Sequence, residues 1–105
     1  VKTIEIRFVC MGGVHATIFK EKLQSLMKDK ERCIIKMCSP QDVIPCDLIV
    51  LLPMLAYRKK DLEKFVRKNE YIIPLDHYIY SSLQPDLFLS NLEILVDDIL
   101  HSALT

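Results

Sequence analysis

Apolar residues change their spacing several times along this chain, and each change marks a new element. From Thr3 to Val9 they alternate, with Ile4, Ile6 and Phe8 on one side and Glu5 and Arg7 on the other. Period two is the pattern of a strand, and the two charges give its opening half one wet face. Phe19, Leu23, Leu26 and Met27 then recur at helical spacing, with Lys20, Glu21, Gln24 and Lys28 opposite; this predicts a helix from about Ala16 to Lys30. Cys33 to Cys38 reads as a second strand, ended by Ser39-Pro40, and Gln41 to Cys46 as a short connection with room for a helical turn. Leu48-Ile49-Val50-Leu51-Leu52 is unbroken apolar sequence, as expected of a strand covered on both faces of a parallel sheet, and Pro53 stops it.

Leu55, Leu62, Phe65 and Val66 predict a further amphipathic helix from about Leu55 to Arg67, its basic run Arg58-Lys59-Lys60 forming a solvated outer face. Tyr71 to Leu75 is the fourth strand. Pro74 cannot donate to a ladder, which puts that strand at a sheet edge. Asp76 to Gln84 reads as a polar and aromatic loop. Pro85, suited to a first helical position, opens a last helix with Phe88, Leu92, Leu95, Val96, Ile99 and Ala103 on one face. Strands alternating with helices predict an α/β fold, a four-stranded open parallel sheet with helices on both faces. Right-handed crossovers favour strand order 2-1-3-4, with a ligand crevice at the C-terminal end of the first strand.

Composition narrows the classes. A chain of 105 residues without repeat or linker is expected to form one domain spanning residues 1–105. Formal net charge is zero, so nothing suggests an electrostatic grip on nucleic acid or an anionic membrane. No apolar run approaches the roughly 18 to 20 residues that span a bilayer. Ile4-Glu5-Ile6-Arg7 places charges where a signal peptide would be apolar, and the expected location is the cytoplasm. Cys10, Cys33, Cys38 and Cys46 fit no zinc or Cys-x-x-Cys spacing; the last three are expected as small buried hydrophobes, and no metal is expected.

Both of the chain's glycines stand together in Cys10-Met11-Gly12-Gly13-Val14-His15-Ala16-Thr17, between the first strand and the first helix. Glycine lets the backbone turn with positive φ, and a helix start offers N–H groups and a favourable dipole to an anion. A thiol at such a helix start is a stabilised, reactive thiolate. The segment therefore reads as a phosphate cradle, residues 11 to 17, with a nucleophilic Cys10 on its rim. A tyrosine-phosphatase loop would need an arginine six residues after its cysteine, where this chain has Ala16. Walker A and Rossmann glycine patterns are absent too.

Cys-x-x-Gly followed by a helix resembles the phosphocysteine loop of the enzyme IIB components of the bacterial sugar phosphotransferase system, lactose/cellobiose (chitobiose) type. Cys10 and Gly13 match that loop, Val14 replaces its methionine, and Thr17 supplies a hydroxyl at its last position. Leu51 to Tyr57 is similar to the family's third-strand exit, retaining Pro53, Ala56 and Tyr57, and Leu75 to Tyr80 is similar to its fourth-strand exit. The resemblance covers nearly the whole chain. It implies an architecture like that of flavodoxin and low-molecular-weight tyrosine phosphatases. It also implies a phosphoryl carrier: a IIA phosphohistidine loads Cys10, and phosphocysteine then delivers to a cellobiose- or lactose-type sugar held by a membrane IIC transporter. The protein would be monomeric in isolation, reach the membrane only through IIC, and need no cofactor. Tyr57, Asp76 and Tyr80 become candidate rim residues.

Departures from the pattern are specific. His15 and Ala16 stand where the family has hydroxyl residues, Leu52 replaces a glycine, Met54 a glutamine and Ser81 a glycine. His15 is expected to substitute for the missing serine as an anion donor, with added charge when protonated. The same departures support an alternative, a docking or regulatory module of this fold that carries no phosphate. A small cysteine phosphatase is a third reading, opposed by Ala16.

Overall fold

The computed structural model describes residues 3–28 and 30–104, without the side chains of Ala103 and Leu104. Strands β1 (Ile4–Val9), β2 (Cys33–Cys38), β3 (Leu48–Leu51) and β4 (Ile72–Pro74) pair in parallel in the order β2-β1-β3-β4. That is the expected order, and the fold is α/β of flavodoxin-like type. Val9 stands beside both Cys38 and Leu51, and Leu51 stands beside Pro74. All four strands therefore end level, and their exits share one edge of the sheet.

Helix α1 (Val14–Leu26) begins two residues earlier than its apolar spacing suggested and stops before Lys30. Beyond the buried Met27 the chain is charged, with no apolar side chain to hold a further turn against the sheet. Asp29 lies outside the described residues. Phe8 of β1, Phe19 of α1 and Phe88 of α4 (Asp86–Leu104) form a stack, with ring centroids 5.8 and 6.1 Å apart. Aromatic pairs at such spacing add to the area they bury, and here they clamp both helices onto one face of β1. Phe88, Leu92, Val96 and Ile99 are buried along α4 as the spacing predicted; Ala103's side chain lies outside the description.

The expected helix from Leu55 to Arg67 is broken. A 3-10 stretch, Pro53–Arg58, precedes the four-residue α2 (Lys59–Leu62), and a second 3-10 turn, Glu63–Phe65, follows it. Phe65's carbonyl accepts the Cys46 N–H at 3.0 Å instead of a helical partner, and Val66 is already extended. Leu55 and Leu62 still bury. A right-handed crossover from β3 to β4 carries this segment on the face opposite α1, and β3 is buried at every residue. Residues 76–84 are no simple loop. Asp76 accepts from the N–H groups of Tyr78 (3.0 Å) and Ile79 (3.4 Å) and so caps α3 (His77–Ser81).

At the other end of β4 the Tyr71 hydroxyl donates to Asp98 of α4, and Lys68 Nζ lies 3.7 Å from the same carboxylate. The Tyr71 hydrogen bond, with Lys68's charge behind it, holds the Asp98 carboxyl below its usual range. A lowered carboxylate contributes stability that is full above about pH 4 and is lost as pH falls through the folded-state value. Tyr71→Phe should therefore lower the thermal midpoint near neutral pH, and the gap to wild type should close on acidification below about pH 4. A gap that does not change with pH would show that this carboxylate is not what the hydroxyl supports.

Candidate functional site

The ladder does not stop at Val9. Cys10 N–H donates to the Cys38 carbonyl at 3.0 Å, holding the cysteine at the top of the sheet. The chain then turns through Gly12 at φ 90° and Gly13 at φ 107°, ψ 164°. Apart from the glycine itself and its chain neighbours, no heavy atom lies within 4 Å of where a Cβ would sit at either position. The demand for glycine is thus the backbone conformation itself, a region open almost only to glycine. Helix α1 follows at once. It has no side-chain cap and no acidic residue in its first turn. Its first turn closes with Thr17 N–H donating to the Gly13 carbonyl at 3.2 Å, which leaves the preceding N–H groups without intrahelical acceptors and adds a positive dipole end. The Thr17 hydroxyl donates back to the same carbonyl at 3.0 Å.

Cys10 is not on the rim of this turn: it is 3% exposed, while Met11 and Val14, which follow it in the chain, are 64% and 76% exposed. Its continued pairing with β2 explains the difference. Cys10 instead opens on a cavity of about 230 Å³ that it lines with Met11, Gly12, Met37, Cys38 and Ser39. The three residues from the end of β2 belong to the site by sheet adjacency alone, and nothing in their sequence context announces them. Ala16 is fully buried. Cys33 is buried as expected, but Cys38 and Cys46 are only half-buried. Burial pushes the Cys46 thiol up to about 12 and also raises Cys38, against the opposing influence of Arg7.

His15 is a strut between two elements. Its Nε2 lies 2.8 Å from the Tyr80 carbonyl, so Nε2 carries the proton and donates, and its ring meets the Tyr80 ring edge-on at 4.7 Å. Tyr80 in turn packs on Phe19 at 5.4 Å. Burial, followed by the nearby Cys10 charge, raises the Tyr80 hydroxyl above its ordinary value. A second cleft, of about 580 Å³, is lined by His15, Pro53, Met54, His77, Tyr80 and Ser81. Cys10 is not in its wall. Of the candidate rim residues, Tyr80 joins this cleft, Tyr57 is 76% exposed, and Asp76 is engaged in capping α3. His77 was not among the candidates, and Ser81 was singled out only as a replaced glycine, because α3 was read as loop; an aspartate just before an aromatic run was the available cap signal. Among the described residues no group of three or more His, Cys, Asp or Glu is placed to hold a metal ion.

The sequence model of one family, described as PTS system, lactose/cellobiose-specific IIB subunit, matches residues 5–88. The matched span takes in nearly all of β1, the Cys10 turn, the other three strands and α3. No individual curated protein matches the chain.

Placing a Cβ at residue 13 costs backbone strain of about 1–3 kcal/mol. Gly13→Val should lower unfolding stability by about that amount in urea, with the denaturant slope unchanged. Unchanged stability would mean that the turn relaxes freely to another conformation.

Proposed function

The chain belongs to the lactose/cellobiose-specific IIB subunits of the sugar phosphotransferase system, and from that premise we propose that it is a phosphoryl carrier whose acceptor is Cys10. Family membership gives it a role in sugar phosphotransfer. The steps below are our reading of how this chain performs it. The observation that carries the reading is the uncapped start of α1, set by two positive-φ glycines at the second and third positions after the cysteine.

In the first step the Cys10 thiolate attacks the phosphorus of a IIA phosphohistidine. The P–S bond forms, the P–N bond breaks, and the imidazole leaves and takes up a proton. In the second, a hydroxyl oxygen of the sugar on IIC attacks the same phosphorus, loses its proton and releases the thiolate. Phosphoryl transfer passes through a loose transition state, so positioning and stabilisation of the equatorial oxygens do most of the work. Backbone N–H groups from Met11 to Ala16 are the donors available for that, the Thr17 N–H being taken by the Gly13 carbonyl. Both steps balance without metal or nucleotide.

Met11 and Val14 after β1, Met54 and Tyr57 after β3, and Tyr78 after β4 are exposed apolar and aromatic side chains that follow the strand ends at the edge where Cys10 leaves the sheet. They form the face on which IIA and IIC would dock. No described helix is long and apolar enough to cross a membrane, which suits a monomeric cytoplasmic carrier that meets the membrane through IIC. The burial of Cys10 favours one second reading, a docking module of the same fold that carries no phosphate.

Incubation with phosphorylated IIA and intact mass measurement separates the two. The carrier gains one phosphoryl group and Cys10→Ser gains none, while variants of Cys33, Cys38 and Cys46 still load. A wild-type protein that never gains mass, or a Cys10→Ser variant that still passes phosphate to sugar, would refute the carrier assignment.

His15 sharpens the chemistry. With Nε2 already donating to Tyr80, the neutral ring has no second N–H to offer, and only the protonated ring can donate from Nδ1 to a phosphate. His15→Ala should therefore change the lifetime of phosphocysteine, and His15→Ser should recover part of the wild-type behaviour. Superimposable decay profiles for the three proteins would reduce His15 to its strut role.

A further inference from the structure

Cys38 is the one other cysteine at the functional edge of the sheet. Cys33 opens β2, level with Ile4, and Cys46 lies just before β3 at the opposite edge, its thiol donating to the Leu48 carbonyl at 3.6 Å. Cys38, by contrast, closes β2, is half-buried, and shares the cavity of about 230 Å³ with Cys10. The two residues are joined through the backbone by the 3.0 Å bond from Cys10 N–H to the Cys38 carbonyl. Disulfides bridge Cα atoms about 4.4–6.8 Å apart, and neighbouring strands run about 4.7–4.9 Å apart. The shared cavity and this backbone bond set the two residues side by side, and their side chains must turn toward each other before such a bridge can close.

We propose that Cys10 and Cys38 form a reversible disulfide when the protein meets a hydroperoxide, switching off the acceptor thiol and protecting it from further oxidation. The Cys10 thiolate attacks one peroxide oxygen; the S–O bond forms, the O–O bond breaks, and the other oxygen leaves as hydroxide or alkoxide and is protonated. Cys10 is oxidised by two electrons to a sulfenic acid and the peroxide is reduced. The Cys38 thiol then loses its proton and attacks the Cys10 sulfur; the S–S bond forms, the S–O bond breaks and water departs. A dithiol reverses the bond by exchange. Cys10 lies one residue beyond the Val9–Cys38 pair, so strand alternation starts its side chain toward the other face. Closing the bond needs Cys10 to rotate, and the glycine turn at residues 12 and 13 is the segment that lets it.

The bond can be read without any phosphotransfer partner, so its failure is distinct from failure of the carrier assignment. The reduced full-length chain is treated with hydrogen peroxide, alkylated and mapped without reduction. Wild type should lose two of its four alkylatable thiols and yield a peptide pair linked through Cys10 and Cys38, with dithiothreitol restoring all four. Cys38→Ser should instead drive Cys10 to sulfinic acid, which dithiothreitol does not reverse. Where that variant does not fold, the wild-type map decides alone. Sulfinic acid at Cys10 with Cys38 still alkylatable, a bond between any other pair, or the survival of all four thiols would overturn the proposal.

Discussion

Two successive residues at positive φ, Gly12 and Gly13, are the constraint on which the rest of this molecule depends. They let a chain leave the top of a central strand and enter a helix after four residues, with nothing capping the helix start. A side chain at either position would strain the turn whatever space surrounded it. An acidic residue in the first turn, or a capping hydroxyl, would compete with an incoming anion for the same N–H groups. The chain has neither, and the helix dipole is left pointing at the edge of the sheet where Cys10 sits.

The sheet makes that edge a site. Order β2-β1-β3-β4 puts β1 in the interior, and level strand ends bring the exits of β1, β2, β3 and β4 together. Residues far apart in sequence thereby become neighbours: Cys10 with Met37, Cys38 and Ser39 on one side, and His15 with Met54, His77 and Tyr80 on the other. The phenylalanine stack fixes α1, and with it the turn, against β1 and α4. His15 ties the first turn of α1 to α3. The turn is thus anchored on its helical side and left to its glycines on the other.

Much of this was legible in the residues. Strong period-two and helical spacings located β1, α1, β2 and α4, and the unbroken apolar run located a β3 covered on both faces, because burial pattern is written directly into side-chain type. The crossover rule then gave the strand order, and Pro74 the edge. The segment from Pro53 to Phe65 was not legible: its apolar positions fit a helix, but a backbone bond from Cys46 to Phe65 breaks it, and such a bond has no side-chain signature. Helix α3 hid behind its short length, with Asp76 as the only cap signal. At the site, the glycines and the cysteine were visible together, whereas the covering of Cys10 and the arrival of Cys38 beside it depend on strand pairing and could not be read from local sequence.

The central claim is that the start of α1 holds a phosphoryl group on Cys10 through backbone N–H groups. The most direct measurement compares amide chemical shifts of the unphosphorylated protein with those after loading from phosphorylated IIA. The account predicts that the largest changes fall on the amides of residues 11–17, with downfield shifts where N–H groups bond phosphate oxygens. Amides of this turn that stay in place while the largest changes fall around α3 or elsewhere would contradict it.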